Sequence, residues 1–273
     1  MISACLVIRN EDKVLERCLQ SIKDIVGEII VVHDGPCTDN SLEIAKAYGA
    51  RVFIRNFIGE AEWHRPFSYE QTNGDWILQI DADEYLSKDA IQQVPLLIKP
   101  QGVNGYSFYW PYFSGGKYIQ KGPFAQTYKD CLFKKNEFHM VGLSHEYARV
   151  YGNKIKLKNI QLEHRPLYDN FTKEAFKRKW IAWAQLHARQ IADLENVPCY
   201  NLPNWLHSQD YHYYDQMRKH PLQNGVIESI RFLGIYFMRG LLVAGVQSWK
   251  IALYEIAYLW LVRLSLLKNY ARK

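Results

Sequence analysis

The stretch from residue 74 to 84, Gly-Asp-Trp-Ile-Leu-Gln-Ile-Asp-Ala-Asp-Glu, constrains the fold of this chain more than any other. Its apolar, β-branched run opens after a glycine and stops at three carboxylates. That pattern predicts a buried strand whose C-terminal end delivers Asp81, Asp83 and Glu84 to a crevice. Side chains alternate along an extended chain, so Asp81 and Asp83 face the same side. Two carboxylates that close repel each other, and a hard divalent cation or its bound phosphates would relieve the repulsion. The plainer reading of the same residues is a solvated turn, with Asp83 or Ser87 capping the next helix.

The residues upstream place this strand in a repeating order. Residues 2–8 read as a first strand, and Asn10 offers an N-cap for a helix over 11–26. Val14, Leu15, Cys18, Leu19, Ile22 and Ile25 fall at helical spacing on one face of it. After Gly27, residues 28–32 form a second strand, apolar throughout as a parallel strand covered on both faces would be. The loop that follows carries Asp34 at the strand end and Thr38 or Asp39 as the cap of a helix over 41–48; residues 51–54 are strand three. Strand, helix, strand, helix, strand is the doubly wound pattern, in which ligands sit outside the carboxyl ends of the strands. Asp34 and Asp81 should therefore share one crevice. Neither Gly-x-Gly-x-x-Gly nor Gly-x-x-x-x-Gly-Lys-Ser/Thr occurs, so a nucleotide must be held in another way.

Four blocks, in order, carry a family resemblance. They are Asn10-Glu11, then Val31-Val32-His33-Asp34-Gly35 with Thr38-Asp39, then Arg65, then Gly74-Asp75-Trp76-Ile77-Leu78 running into Asp81-Ala82-Asp83-Glu84. Together they resemble glycosyltransferase family 2. The resemblance implies an α/β fold of GT-A type, a Rossmann-like mixed sheet flanked by helices. It implies a nucleotide-sugar donor, with Asp34 at the base, Asp81 at the ribose, and Asp83 on a Mn or Mg ion at the diphosphate. Asp39 and Arg65 complete the implied donor-binding set. The family's usual loop reads Asp-Gly-Ser-Thr-Asp, whereas Pro36-Cys37 replaces one small residue here.

The second half of the resemblance runs through Leu132-Phe133-Lys134-Lys135, His145-Glu146 and Leu162-Glu163-His164-Arg165. These resemble bacterial lipopolysaccharide-core glucosyltransferase-like proteins. Sugar transfer requires stabilising the departing diphosphate and removing a proton from the acceptor. Asp83, with His164 as a second ligand, would hold the metal, and Glu146 would be the base, with Glu84 as the alternative. The resemblance implies inversion by direct displacement. Lys134, Lys135, Arg65 and Arg165 are candidate phosphate contacts. Trp110 and Tyr112 suit either an acceptor sugar or a core. His207, Asp210, His212 and Asp215 have the residue types of a metal site, but their irregular spacing fits a polar helix face.

Composition bounds the rest. Five cysteines without a Cys-x-x-Cys pair fit buried thiols in a reducing compartment, and the first residues lack the charged start of a secretion signal, so a cytoplasmic position is expected. Net charge is +6, and from Val226 to Lys273 seven cations face two carboxylates. That bias points to an anionic surface rather than to nucleic acid. The longest charge-free run there, residues 240–249, is too short to span a bilayer. Amphipathic helices at the membrane interface fit better, a packed helical hairpin or homo-oligomer contact being the plainer reading. The expected organisation is a catalytic domain over 1–170, with a donor half at 1–98 and an acceptor half at 99–170. A bracing helix and linker over 171–225 and amphipathic helices over 226–273 follow. The expected activity is transfer to a lipid-linked glycan or polysaccharide precursor at the inner membrane face. A protein acceptor and a catalytically silent nucleotide-sugar-binding scaffold are the alternatives.

Overall fold

The computed structural model describes residues 1–270. In chain order the first elements are β1 (Ile2–Ile8), α1 (Leu15–Ile22), β2 (Glu28–Asp34), α2 (Ser41–Ala47), β3 (Arg51–Arg55), α3 (Arg65–Glu70), β4 (Trp76–Gln79), β5 (Glu84–Leu86), α4 (Lys88–Leu97) and β6 (Gly105–Tyr109). There follow β7 (Phe113–Ser114), β8 (Lys117–Tyr118), β9 (Tyr128–Lys134), β10 (Phe138–Val141), β11 (Arg149–Val150) and β12 (Lys154–His164). The last are α5 (Lys173–Ala175), α6 (Ile181–Ala192), β13 (Cys199–Tyr200), α7 (Gln209–Lys219), α8 (Pro221–Met238) and α9 (Val246–Tyr270).

The chain divides into two compact units. The first holds residues 1–110, 128–167 and 198–202, and is built on a sheet of order β3-β2-β1-β4-β9-β6-β12-β5. Strands β3, β2, β1 and β4 pair in parallel, as their apolar runs predict, and β9 then joins antiparallel to β4. The sheet is thus mixed, as expected. One face is covered by α1 and α4 through Leu15, Leu19, Val94, Leu78 and Leu132, and the other by α3 and β10 through Tyr69, Phe133 and Phe138. Gly74 is required at the entry to β4: a Cβ there would lie 2.5 Å from Ser3 Oγ and 2.7 Å from the Met1 carbonyl.

The second unit holds residues 111–127, 168–197 and 203–273. Its core gathers Phe124, Phe171, Trp180, Tyr236, Leu241 and Ile251. The bracing helix expected within 171–225 is present as α5 and α6, joined by a π-helical turn over Phe176–Trp180, with Thr172 Oγ1 accepting from the Ala175 N–H.

Several sequence expectations need correction. Helix α1 is eight residues, because Asn10 is not a cap: it adopts φ +52° and its Oδ1 accepts from Thr38 N at 2.9 Å. The linker expected within 171–225 includes residues 198–202, which carry β13; it pairs with β10 and so belongs to the first unit. Residues 111–127, expected in the catalytic domain, pack into the second unit around Phe124. Helix α8 starts at Pro221, five residues before the expected composition change. Arg272 and Lys273 of the basic tail lie outside the described residues.

Candidate active site

The parallel strands β1, β2 and β4 end on one side, and their C-terminal loops carry the candidate acids. After β1, the Asn10 N–H donates to His33 Nε2 at 3.3 Å, while His33 Nδ1 lies 2.8 Å from the Gly35 carbonyl, which fixes its proton on Nδ1. His33 thereby ties the first two loops together. Asp39 is fixed in the same corner, its oxygens accepting from Ser41 N at 2.9 Å and Asp12 N at 3.1 Å. Burial opposes its charge, but the hydrogen bonds from Ser41, Asp12 and Cys37 prevail and pull its pKa down to about 2.

Asp34 ends β2 at 3% exposure, with both carboxylate oxygens engaged. Ile58 N donates to Oδ1 at 2.6 Å, Gly59 N to Oδ2 at 2.8 Å, and His64 Nε2 lies 2.9 Å from Oδ1. These bonds hold its pKa below the ordinary value against the opposing effect of burial. Beside it a cleft of about 470 Å³ is lined by Ile54, Arg55, Asn56, Ile58, Trp63, His64 and Phe67. In this conformation Asp34 anchors the loop that forms one wall of that cleft.

Arg65 begins α3 one residue after His64, so the start of this helix joins the two strand-end acids. Its Nη2 donates to Asp81 Oδ1 at 3.0 Å, and Nη1 lies 3.6 Å from Glu62. The other oxygen of Asp81 accepts from Lys129 Nζ at 2.7 Å. Lys129 also reaches both oxygens of Glu84, at 2.8 and 2.7 Å, and Glu84 Oε2 takes the Asp81 N–H at 2.9 Å. Lys129 is 4% exposed and Glu84 1%. Burial alone would lower the Lys129 pKa, but Asp81 and Glu84 raise it well above the ordinary ammonium value. Burial raises the pKa of Glu84, while for Asp81 Lys129 and Arg65 outweigh burial and lower it. With contacts this short, the triad is a charged, closed cluster.

Asp83 is left facing a different neighbour. Its Oδ2 lies 3.2 Å from His164 Nε2, and its carbonyl accepts from Arg165 N at 2.9 Å. His164, opposite Glu84 in the β5–β12 pairing, stacks on Trp110 at 4.9 Å and 29°. Burial would lower the His164 pKa, and the Asp83 hydrogen bond and charge raise it instead. Among the described residues no group of three or more His, Cys, Asp or Glu is placed to hold a metal. Asp83 and His164 nonetheless fit a two-ligand site, since adjacent ligands of an octahedral ion at about 2.1 Å stand roughly 3 Å apart. Such an ion characteristically takes its remaining ligands from water and substrate phosphates.

The residues expected on the acceptor side are set by a tight turn. Gly142 would place a Cβ 2.7 Å from Pro198 Cγ and 3.3 Å from the Glu62 carbonyl, and Ser144 Oγ donates to Glu60 Oε2. His145 then adopts φ +61°, and Glu146 pairs with Arg149 Nη2 at 3.1 Å. Glu146 thus sits on a segment pinned to the residues that lead into α3.

Other candidates lie elsewhere. Lys134 pairs with Trp76 and Lys135 Nζ donates to the Thr72 carbonyl, at the opposite end of β4 from Asp81. Tyr112 is half-buried against the core of the second unit, its hydroxyl donating to Glu255 at 3.1 Å. Asp215 pairs with Arg218 and Lys219 on α7, the polar helix face expected.

Sequence reasoning missed His33, His64 and Lys129. His64 carried a signal, because Pro66 marks a helix start just after it. Lys129 did not. In the β6–β9 pairing Tyr106 faces Leu132 and Ser107 faces Asp130, so Cys131 is an extra residue. That bulge puts Lys129 opposite Phe108 on the face of Leu132, where strict alternation would have put it on the other.

Three comparisons bear on this site. The family model described as Glycosyl transferase family 2 matches residues 3–146, more than half of the chain. A Rickettsia bellii protein described as an uncharacterized glycosyltransferase is 36% identical over 108 residues, 40% of this chain and 36% of that protein. The SPbeta prophage-derived glycosyltransferase SunS of Bacillus subtilis is 35% identical over 94 residues, 32% of this chain and 21% of that protein. The matches therefore span about a third or less of the length of these relatives. Among solved structures, S. aureus TarS 1-349 in complex with UDP-GlcNAc is 14% identical with a TM-score of 0.48, over 94% of this chain and 81% of that one. Glucosyl-3-phosphoglycerate synthase from Mycobacterium tuberculosis, with Mn2+, UDP and phosphoglyceric acid, is 19% identical with a TM-score of 0.42, over 70% and 78%.

Proposed function

Because the chain belongs to glycosyl transferase family 2, we propose that it moves a sugar from a nucleotide-sugar donor to a lipid-linked glycan or polysaccharide precursor, with inversion at the anomeric carbon. The observation that carries this reading is the turn from Asp81 to Glu84. Two of its carboxylates are neutralised by Arg65 and Lys129, and the third, Asp83, pairs with an ionisable histidine, with no Lys or Arg ion pair to it among the described residues. A turn so divided is rigid, with one carboxylate left for a ligand.

In this reading the base and ribose lie toward Asp34 and Asp81, and Asp39 keeps the neighbouring loop in shape. Arg65 acts through Asp81 by fixing its carboxylate. Asp83 and His164 hold a divalent cation, Mn or Mg, which when bound neutralises the leaving diphosphate. Glu146 accepts the proton of the acceptor hydroxyl as that oxygen attacks the anomeric carbon and the diphosphate departs. Buried Glu84, already engaged by Lys129, positions the turn. The acceptor class places the protein peripherally at the inner face of an anionic membrane. No helix among the described residues is long and apolar enough to cross a membrane.

The test is release of nucleoside diphosphate from a panel of nucleotide-sugars, with lipid extract, soluble glycan or peptide as acceptor. Acceptor-dependent release with the lipid extract supports the reading. Release with peptide alone would move the acceptor to a protein, and no release from any donor would leave a silent binding protein.

A further inference from the structure

Helices α8 and α9, and the turn between them, carry more apolar surface than a solvated hairpin needs. Met238 is 82% exposed, Leu242 72%, Val243 77% and Val246 83%, and Ile227 and Ile230 on the outer face of α8 are 54% and 67% exposed. Four of these six fall within nine residues. Scattered exposed apolar residues are ordinary, whereas a contiguous patch marks an interaction surface.

The turn is built to present them. Gly240 at φ +82° ends α8 and Gly245 at φ +80° precedes α9, conformations that cost glycine little. Between them Leu241 is fully buried and locks the turn to the core of its unit, while Leu242 and Val243 point outward. The turn is therefore fixed with its apolar side chains outside.

Charge decides what covers this surface. Residues 221–270 contain two carboxylates, and neither is offered to solvent. Glu228 is 7% exposed, and Glu255 takes the hydroxyls of Tyr112 and Tyr236. Of the five cations, Arg263 is buried against Asn224, but the Arg231 side chain is 67% exposed, touching Glu228 only at 3.6 Å, and Arg239 and Lys268 are exposed, with Lys250 half-buried. A second copy would bring the same positive charge to the contact. A bilayer with anionic headgroups satisfies both the apolar side chains and the cations beside them.

We propose that the α8–α9 turn, Met238 to Val246, inserts into the headgroup region of an anionic membrane, with the outer face of α8 lying along it. This rests on the membrane position inferred above and names the surface that makes it. The experiment is flotation of the purified chain with phosphatidylcholine vesicles, with and without phosphatidylglycerol, alongside its mass by light scattering without lipid. The wild-type chain should float with the anionic vesicles. The combined variant Met238→Gln, Leu242→Gln, Val243→Gln and Val246→Gln should lose that binding, and Arg231→Gln with Lys250→Gln should weaken it about thirtyfold. Circular dichroism and nucleotide-sugar binding, which test folding and the transferase reading separately, should be unchanged in both. Unaltered flotation of the combined variant would overturn the proposal. So would a wild-type dimer, free of lipid, that the same four substitutions dissociate.

Discussion

Replacing Lys129 by methionine removes the cation that closes the Asp81–Glu84 turn. Its ammonium makes contacts of 2.7, 2.8 and 2.7 Å to Asp81 and Glu84, at 4% exposure for the lysine and 1% for Glu84. Water cannot replace it at Glu84, so Lys129→Met strands a buried carboxylate. Breaking a buried pair from one side costs about 3 to 5 kcal/mol. Against a total stability of about 5 to 15 kcal/mol, that is a large fraction. Glu84→Gln removes the charge that would be stranded, so the double variant should be more stable than the sum of the single losses predicts, with a coupling of up to about 3 kcal/mol. Urea unfolding followed by circular dichroism measures all four proteins. A Lys129→Met loss below about 1 kcal/mol, or additivity within about 0.5 kcal/mol, would refute the argument that the pair is charged and closed.

Three further outcomes follow from the geometry. Asp83→Ala should lower turnover by about 10² to 10³ with little change in folding, measured as diphosphate release beside a thermal melt; retained turnover would remove Asp83 from the chemistry. Gly142→Ala should cost about 1 to 3 kcal/mol, because the new methyl meets Pro198 at 2.7 Å, and its melting temperature checks this. Asp39 has a folded pKa of about 2, below the ordinary value of about 3.9. Its contribution to stability is therefore present above the ordinary value and lost as pH falls toward 2, and Asp39→Asn should flatten that part of the stability profile.

The parallel half of the sheet was legible because its strands are continuous apolar runs punctuated by glycine and ended by acids. Asp34, Asp81 and Asp83 could be placed for that reason, and α4 with its Ser87 cap appears where the sequence puts it. The connections between these residues were not legible. His64 meets Asp34 from thirty residues away, and no local period encodes such a pairing. Lys129 reaches Asp81 only because one extra residue in β9 turns it over. Asn10 reads as a cap from its residue type, yet its side chain serves Thr38 in another loop. Local chemistry was readable along the chain; the partners that give it direction came from tertiary structure.

In the function proposed here, the Asp81–Glu84 turn binds a nucleotide-sugar with a divalent cation held at Asp83 and His164. Titration calorimetry of a nucleotide-sugar panel, with and without Mn, on the wild-type chain and Asp83→Ala tests it most directly. One donor should bind, more tightly with Mn, and the variant should lose that dependence. Failure of every donor to bind in either condition, or binding equally Mn-dependent in Asp83→Ala, would contradict it.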